Sequence, residues 1–321
     1  MTAEARVRLT SAGAGSEIPV QSLSLDRVLS HPVGRAELVL PAGVTPPETG
    51  ASLSLSAEVS GSEVTLMTGE VARMARSESG TRITMLEPAA KLNRHAPSSA
   101  WTGDTAGGVI GSLCRDAEVP TGVLLPGITI PHMVLGHWAS LLDHAIRLAR
   151  MSGMALASAV DGTLSTLNLA IPVPKGPIDT GRAASNLGEV ALAGEPASAR
   201  ISGAGAMGSA GPGMTTLPLQ DPGLVSAGGD DAGKRFGRAG IRMLTDATAA
   251  QLAANQRLAA PYAGIDLTTP LPEDLSPGDV VLAPDANGIP SRIVRVEKVG
   301  ITLTGRTGIT ARYGFSDVRA A

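Results

Sequence analysis

GHWASLLDHAIRLARMSGMALASAVDGTLSTL, residues 136–167, holds the two periodicities that decide how the rest of the chain is read. Trp138, Leu141, Leu142, Ala145, Leu148 and Ala149 recur at helical spacing with Asp143, Arg147 and Arg150 facing away, which predicts an amphipathic helix. Ser152-Gly153 ends it, since glycine takes up the left-handed backbone of a helix C-cap without a steric penalty. The chain then runs apolar to Val160, turns at Asp161-Gly162 and returns through Leu164 and Leu167, a β-hairpin. Helix and hairpin account for the stretch without a nucleophile, a ligand set or a phosphate loop, so an architectural role is the first function to test.

Upstream, Asn93 to Gly103 reads as a connector, after which Asp104 or Thr105 can cap a helix with apolar positions Ala106, Val109, Ile110, Leu113, Cys114 and Ala117. Pro120 and Gly122 close that helix, and the loop GVLLPGITIPH leads into the opening stretch. Residues 93–167 therefore read as a helical insertion with a terminal hairpin. Before it, residues 1–92 read as strands. Ala51 to Val59 alternates strictly, with Leu53, Leu55, Ala57 and Val59 on one face and serines and Glu58 on the other. Further runs stand at Arg6–Leu9, Ser22–Asp26, Ala36–Leu40, Val64–Leu66, Gly69–Met74 and Thr81–Leu86, separated by Gly, Pro and Ser clusters. Short strands at this spacing indicate an antiparallel sandwich or barrel.

After Asn168 the strand-and-turn character returns, so residues 168–321 read as a second β-rich part. Ala199 to Gly213 and Asp221 to Gly233 lack both periods and are expected as exposed loops or extended arms, giving a Gly-rich arm over 199–233. An Ala-rich helix is expected from Asp246 to Ala259, ended by Pro261. Strands follow at Asp279–Ala283, Ser291–Val299, Ile301–Thr304 and Ile309–Tyr313, with a turn over Asp285 to Gly288. The order is β-rich, helical, β-rich, as in a duplicated β unit with an insertion.

Composition agrees. A chain of 321 residues with 43% hydrophobic content suggests two or three domains with real cores. Aromatics are 2%, so packing rests on Leu, Val, Ile, Ala and Met, and 39 Gly and 23 Pro favour short strands and many turns. A net charge of −3 removes the broad footprint of a nucleic-acid binder. The single cysteine, Cys114, excludes an internal disulfide framework and is expected as a buried thiol on a helix face. The opening MTAEARVRLT lacks the apolar core of a signal peptide, and no run approaches the ~18 apolar residues of a membrane span. The expectation is a protein made and kept in the cytoplasm, or leaving it by lysis or in a particle, with no membrane insertion by this chain.

Chemistry-bearing patterns are few. Gly203, Gly205 and Gly208 spell GxGxxG with Asp221 downstream, but a dinucleotide fingerprint must open a helix, and here Gly211-Pro212-Gly213 follows at once, so a flexible loop is expected. His132, His137 and His144, with Asp143 beside the last, lack metal-ligand spacing and are expected at the surface or its boundary. Carboxylate pairs such as Glu273-Asp274 and Asp230-Asp231 lie in Pro- or Gly-flanked loops as solvated acids, and no GxSxG, SxxK, HExxH or Walker pattern occurs. No catalytic, cofactor-binding or metal-ligating residue is assigned and no cofactor is expected.

Four stretches carry a family resemblance: PETGASLSLSAEV to LMTGEVARMARSESGTRITMLEP (Pro47–Pro88), DTAGGVIGSLCRDAEV (Asp104–Val119), HWASLLDHAIRLARMSGMALASAVDGTL (His137–Leu164), and the Ala-rich segment 246–259 with GIDLTTPLPEDLSPGDVVLAP and SRIVRVEKVG (Gly264–Pro284, Ser291–Gly300). In this order they resemble the phage baseplate hub, or late control protein D, family, which is related to the hub part of type VI secretion spike proteins and of other contractile injection systems. The resemblance implies a β-rich α+β chain with two tail-tube-like antiparallel β-barrels and a helical insertion. Three such chains would form a trimeric, pseudo-sixfold ring. The implied function is a structural hub that adapts a sixfold tail tube to a threefold spike. The implied partners are two further copies in a homotrimer, a tail tube or distal tail protein, a separate trimeric spike protein, a tape measure protein, and DNA passing through the lumen. Nothing after Ala321 could supply a needle or lysozyme domain, so the spike is expected as another polypeptide. A particle-associated cell-wall hydrolase and a β-rich adhesion protein are the alternatives. The first needs a carboxylate pair or metal held in a cleft, the second exposed aromatics at its contact surface.

Overall fold

The computed structural model describes residues 6–11, 17–29, 31–59, 62–93, 100–135, 139–169, 174–178, 186–191, 198–203, 205–206, 219–220, 224–228, 236–241, 263–269, 272, 274–284, 290–304 and 308–318. The first β-rich part is β1 (Arg6–Ser11), β2 (Glu17–Pro19), β3 (Ser22–Val28), β4 (His31–Leu40), β5 (Ser52–Val59), β6 (Ser62–Ser77) and β7 (Gly80–Leu86). A 3-10 turn, Pro88–Asn93, leads into the insertion: β8 (Ala100–Thr105), α1 (Ala106–Asp116), β9 (Thr129–Val134), α2 (Leu141–Met151), β10 (Met154–Ser158) and β11 (Leu164–Asn168). Then come β12 (Pro174–Pro177), β13 (Asn186–Ala191), β14 (Ser198–Gly203), β15 (Gly205–Ala206), β16 (Leu219–Gln220), β17 (Leu224–Gly228) and β18 (Phe236–Ile241). The chain closes with β19 (Ala263–Thr269), β20 (Val280–Pro284), β21 (Pro290–Thr304) and β22 (Gly308–Asp317).

Strands of both β-rich parts join in one 13-stranded sheet, in the order β13-β19-β22-β21-β3-β4-β7-β6-β5-β1-β2, with β20 pairing β21 and β12 pairing β20. The expected pair of barrels therefore takes the form, among the described residues, of one continuous open sheet. The link is the pairing of β21 with β3, Lys298 to Leu303 against Val28 to Leu23. Alternation puts Leu23, Leu25, Leu38, Leu53, Leu55 and Ile83 on one face together with Val299, Ile301, Tyr313 and Phe315, and these form a single core cluster. The opposite face carries Ser24, Asp26, Glu37, Lys298, Thr302 and Arg312, all at least partly exposed.

The runs expected as separate strands at 64–66 and 69–74 are one 16-residue strand, β6, because bulges at Leu66, opposite Leu55/Ser56, and at Ala72, between Val71 and Arg73, absorb the phase breaks. The first bulge buries Ser56, whose hydroxyl donates to Glu63 Oε1 at 2.6 Å. Likewise 291–299 and 301–304 are one strand, β21. The connector expected from Asn93 to Gly103 instead contains β8, paired antiparallel with β9. The Gly-rich segment expected as loop holds β14, which pairs antiparallel with β17 and parallel with β18. Ladder bonds come from the backbone, which Gly and Ala supply as well as larger residues. The helix expected over 246–259, the turn over 285–288, Asp230-Asp231 and Trp138 lie outside the described residues.

The insertion has its own core, in which Val109, Ile110, Leu113 and Cys114 of α1 pack with Leu141, Leu142, Ala145 and Leu148 of α2. The helix α2 starts at Leu141, not in the preceding residues, because Ser140 closes a capping box: its Oγ accepts from Asp143 N at 3.1 Å and the Asp143 carboxylate accepts from Ser140 N at 3.1 Å. Gly153, at φ 68°, ends the turn after α2, and β10 and β11 form the expected hairpin with Gly162 at φ 85°.

Candidate functional site

The site that ties the three parts together begins as a break in strand alternation. Leu23, Leu25, Arg27 and Leu29 occupy the buried phase of β3 and its continuation, and Thr81, Ile83, Met85 and Glu87 that of β7. The two charged members are 2% and 1% exposed at their side chains, and Arg27 Nε donates to Glu87 Oε1 at 2.7 Å. The strand β4 lies between them, and Gly34 is the residue bridged. A Cβ at Gly34 would lie 2.7 Å from Glu87 Cδ, so only glycine leaves room for the pair. Glu87 Oε2 accepts from Gly34 N at 2.6 Å, and Glu87 N donates to Gly34 O at 3.1 Å.

The remaining guanidinium donors reach the other parts of the chain. One Arg27 Nη donates to the Ser158 carbonyl of β10 at 2.6 Å, and the other to Ser276 Oγ, in the loop before β20, at 3.3 Å. Ser158 Oγ donates in turn to the Pro32 carbonyl of β4 at 3.0 Å. Sheet, hairpin and C-terminal loop are thus fastened at one buried, charge-assisted joint. Such pairs are strong where each lone pair and proton is matched. Gly278, at φ 100°, completes the joint: a side chain there would meet Leu167 Cδ1 of β11 at 2.2 Å.

A second feature is an open groove of about 580 Å³ between α1 and residues 119–126, bordered by Gly108, Gly111, Arg115, Val119, Pro120 and Leu124. Its outer wall, residues 120–125, is an irregular strand held on β11: Leu164 N donates to the Pro120 carbonyl at 2.9 Å, Gly122 N to the Leu164 carbonyl at 3.0 Å and Thr166 N to the Val123 carbonyl at 3.0 Å. The leading amides of α1 are already satisfied, by Ile128 O, Pro126 O and Thr105 Oγ1. At its other end, Glu118 N donates to Arg115 O and Val119 N to Cys114 O, a Schellman motif with Glu118 at φ 55° in the place usual for glycine.

Among the described residues, the sequence's chemistry-bearing candidates are not assembled into a centre. Gly203 and Gly205 fall in strands β14 and β15, and Gly208 lies outside the described residues. His144 is buried, 3% exposed, because its place beside Ala145 and one turn from Leu141 and Leu148 puts it on the apolar face of α2, which corrects the boundary position expected of it. His132 stands in β9 across from Thr102, and His137 lies outside the described residues. Asp274 is exposed. Among the described residues no group of three or more His, Cys, Asp or Glu is placed to hold a metal ion, and no helix is long and apolar enough to cross a membrane. Cys114 is fully buried, and burial pushes its thiol up to about 11. The hydrogen bonds from Ser140 hold the Asp143 carboxyl below the usual carboxylate range. Desolvation lowers the Arg295 guanidinium on β21, with Glu297 opposing, while its Nη donates to the Leu169 carbonyl at 2.8 Å.

No protein-family profile matches the sequence, and no curated protein matches it. Solved structures do match its fold. The 43 kDa tail protein of prophage MuSo2 from Shewanella oneidensis superposes with a TM-score of 0.70 at 15% identity, over 98% of this chain and 99% of that one. The tail protein from Neisseria meningitidis MC58 gives 0.70 at 14% identity, over 98% and 96%. The E. coli c3393 protein, a component of the type VI secretion system with structural similarity to the T4 tail proteins gp27 and gp5, gives 0.64 at 10% identity, over 97% of this chain and 77% of that one. The chain has the fold of these phage tail and secretion-system proteins along nearly its whole length.

Proposed function

We propose that this chain is a structural subunit of a phage tail baseplate, or of a related contractile injection particle, and acts there as the hub. Residues 1–92 and 168–321 supply two tube-like β units and residues 93–167 the insertion that braces them. Three chains close a ring of threefold symmetry with pseudo-sixfold character. One face meets the hexameric tube or a distal tail protein, and the other a separate trimeric spike. The lumen passes DNA or holds the tape measure. The role is mechanical rather than catalytic, and its place is the particle, assembled in the host cytoplasm.

The observation that carries this reading is coverage in both directions: 98% of this chain aligns with 99% of the Shewanella oneidensis prophage tail protein. The Arg27–Glu87 joint supports it further, because a subunit that transmits load between tube and spike needs its β units and its insertion fixed as one body.

The test is the mass of the purified chain by light scattering, alone and with the spike candidate from the neighbouring gene. A mass near three times 32.4 kDa for the chain alone, or that mass plus the spike's when the spike is added, is expected. A chain that stays monomeric with both the spike and the tube protein present refutes the hub reading.

A further inference from the structure

The distal part of the β6–β7 hairpin, residues 71–86, carries Arg73, Arg76 and Arg82, all exposed, against one acid, Glu78, in its turn. Arg82 pairs with Ala75 and Arg73 with Thr84, so Arg73 and Arg82 project from the same face as diagonal neighbours, within reach of a common partner. None of the three has an acidic partner among the described residues. Five other cations of the large sheet differ: Arg8, Arg35, Lys175, Lys298 and Arg312 each sit against a carboxylate.

The complementary feature lies on the insertion. Asp116 and Glu118 are exposed and have no basic partner among the described residues, while Arg115 between them and the helix body borders the groove. Both acids stand against local physics. Asp116 is the last residue of α1, where the helix dipole disfavours negative charge, and Glu118 holds the left-handed position that glycine fills without strain. Two locally unfavourable choices within three residues are the mark of a functional or strained site, and they single this corner out as a place for a contact outside the chain's own fold. The two patches are not in ion-pair contact within one chain. Arg73 stands across from Thr84 and Arg82 lies four residues before Leu86, so roughly 7 and 13 Å of strand at ~3.3 Å per residue separate them from the end of β7.

We infer that the arginine hairpin of one copy docks on the Asp116–Glu118 corner of the next copy. The inference rests on the ring reading: a head-to-tail contact of this kind uses different surfaces on the two partners and closes into a ring when its rotation does. Protein rather than nucleic acid is favoured as the occupant. The patch is small on a chain of net charge −3, its cations are all arginine, the charged residue enriched at protein interfaces, and the matching acids are on the same polypeptide.

Light scattering of full-length charge variants tests it. The wild type is expected at three times 32.4 kDa, and R73E/R82E and D116K/E118K at 32.4 kDa under the same conditions. The milder R73A/R82A is expected to raise the concentration needed for assembly at least tenfold. The variant with all four charge reversals recovers the trimer, because attraction is restored across every contact. Circular dichroism melts establish that each variant is folded. A trimeric wild type with trimeric R73E/R82E overturns this contact and leaves the ring reading standing, and so does failure of the folded fourfold variant to recover. A wild type that is monomeric even with spike and tube overturns both. Loss of fluorescent duplex DNA binding in R73E/R82E with the trimer intact overturns the contact and assigns the arginines to nucleic acid.

Discussion

Replacing Arg27 with methionine removes the cation of the joint while keeping most of its apolar volume. Glu87 is then left with its carboxylate 1% exposed, holding only the Gly34 amide, and the Ser158 carbonyl loses its donor. Breaking a buried pair by removing one partner costs roughly 3–5 kcal/mol, mostly as the desolvation of the charge left behind. E87L is expected to cost a similar amount, because it strands the guanidinium and the Gly34 N–H together. The double variant R27M/E87L buries no lone charge. Its remaining losses are the Gly34 amide and the Ser158 carbonyl, about 1–3 kcal/mol each. At the centres of these ranges the singles sum to about 8 kcal/mol and the double costs about 4, so the double should be less destabilised than the sum by about 4 kcal/mol. Urea unfolding followed by circular dichroism gives the free energies from midpoint and slope. Single variants within ~1 kcal/mol of wild type, or a cycle additive to within ~0.5 kcal/mol, would show that the two charges do not act as a buried pair and would refute the joint.

Other expectations follow from local geometry. Glu118→Gly relieves the φ 55° strain at the end of α1 and should raise stability by about 0.5–1 kcal/mol while weakening self-association, seen as a higher urea midpoint with a lower mass at equal concentration. Cys114 should resist a thiol reagent until the chain unfolds. Its folded pKa, about 11, stands above the ordinary 9.0, so the protonated thiol favours the fold fully below 9.0, and stability should fall as pH rises between the two values. Ser140→Ala opens the capping box of α2 at about 1 kcal/mol near neutral pH. The Asp143 carboxyl is lowered in the folded state, so its contribution is present above the ordinary carboxylate range and lost as pH falls through it. The gap between variant and wild type in urea melts should therefore shrink in acid.

What could be read in the sequence was what local periodicity encodes. The strand β5 alternates because one face is buried, and α1 and α2 show their stripes because each packs one side against the other. The ribbon β8–β9 was hidden for the opposite reason: Ala100–Thr105 is exposed or half-exposed throughout, leaves no alternation, and pairs with residues nearly thirty positions on. The joint did leave a trace. Arg27 and Glu87 each sit at the apolar phase of an otherwise alternating strand, and an opposite charge at that phase in two strands is a signal for a buried pair. Gly34 gives the position, since a glycine in a strand often marks a close approach of another group. Ser158 and Ser276 could not be found this way, because nothing in their own neighbourhoods says that a guanidinium arrives from residue 27.

The strand β21 explains why the two β-rich parts are one body. Its side opposite β22 is shared: β20 pairs with its first half, Arg292 to Arg295, and β3 with its second, Lys298 to Leu303. At the changeover Leu29 N donates to the Glu297 carbonyl at 2.9 Å and Gly278 N to the Val296 carbonyl at 2.7 Å, so the end of β3 and the loop carrying Ser276 are held within one residue of each other. The contact of Arg27 with Ser276 therefore depends on both pairings of β21. The joint joins strands from opposite ends of the sequence and fastens the hairpin of the insertion to both. In the assembly proposed above, such a chain would take up its partners with the insertion already fastened to the sheet. The contacts would then fall to exposed elements such as the β6–β7 hairpin and the α1 corner, where Arg73, Arg82, Asp116 and Glu118 have no ion-pair partner among the described residues.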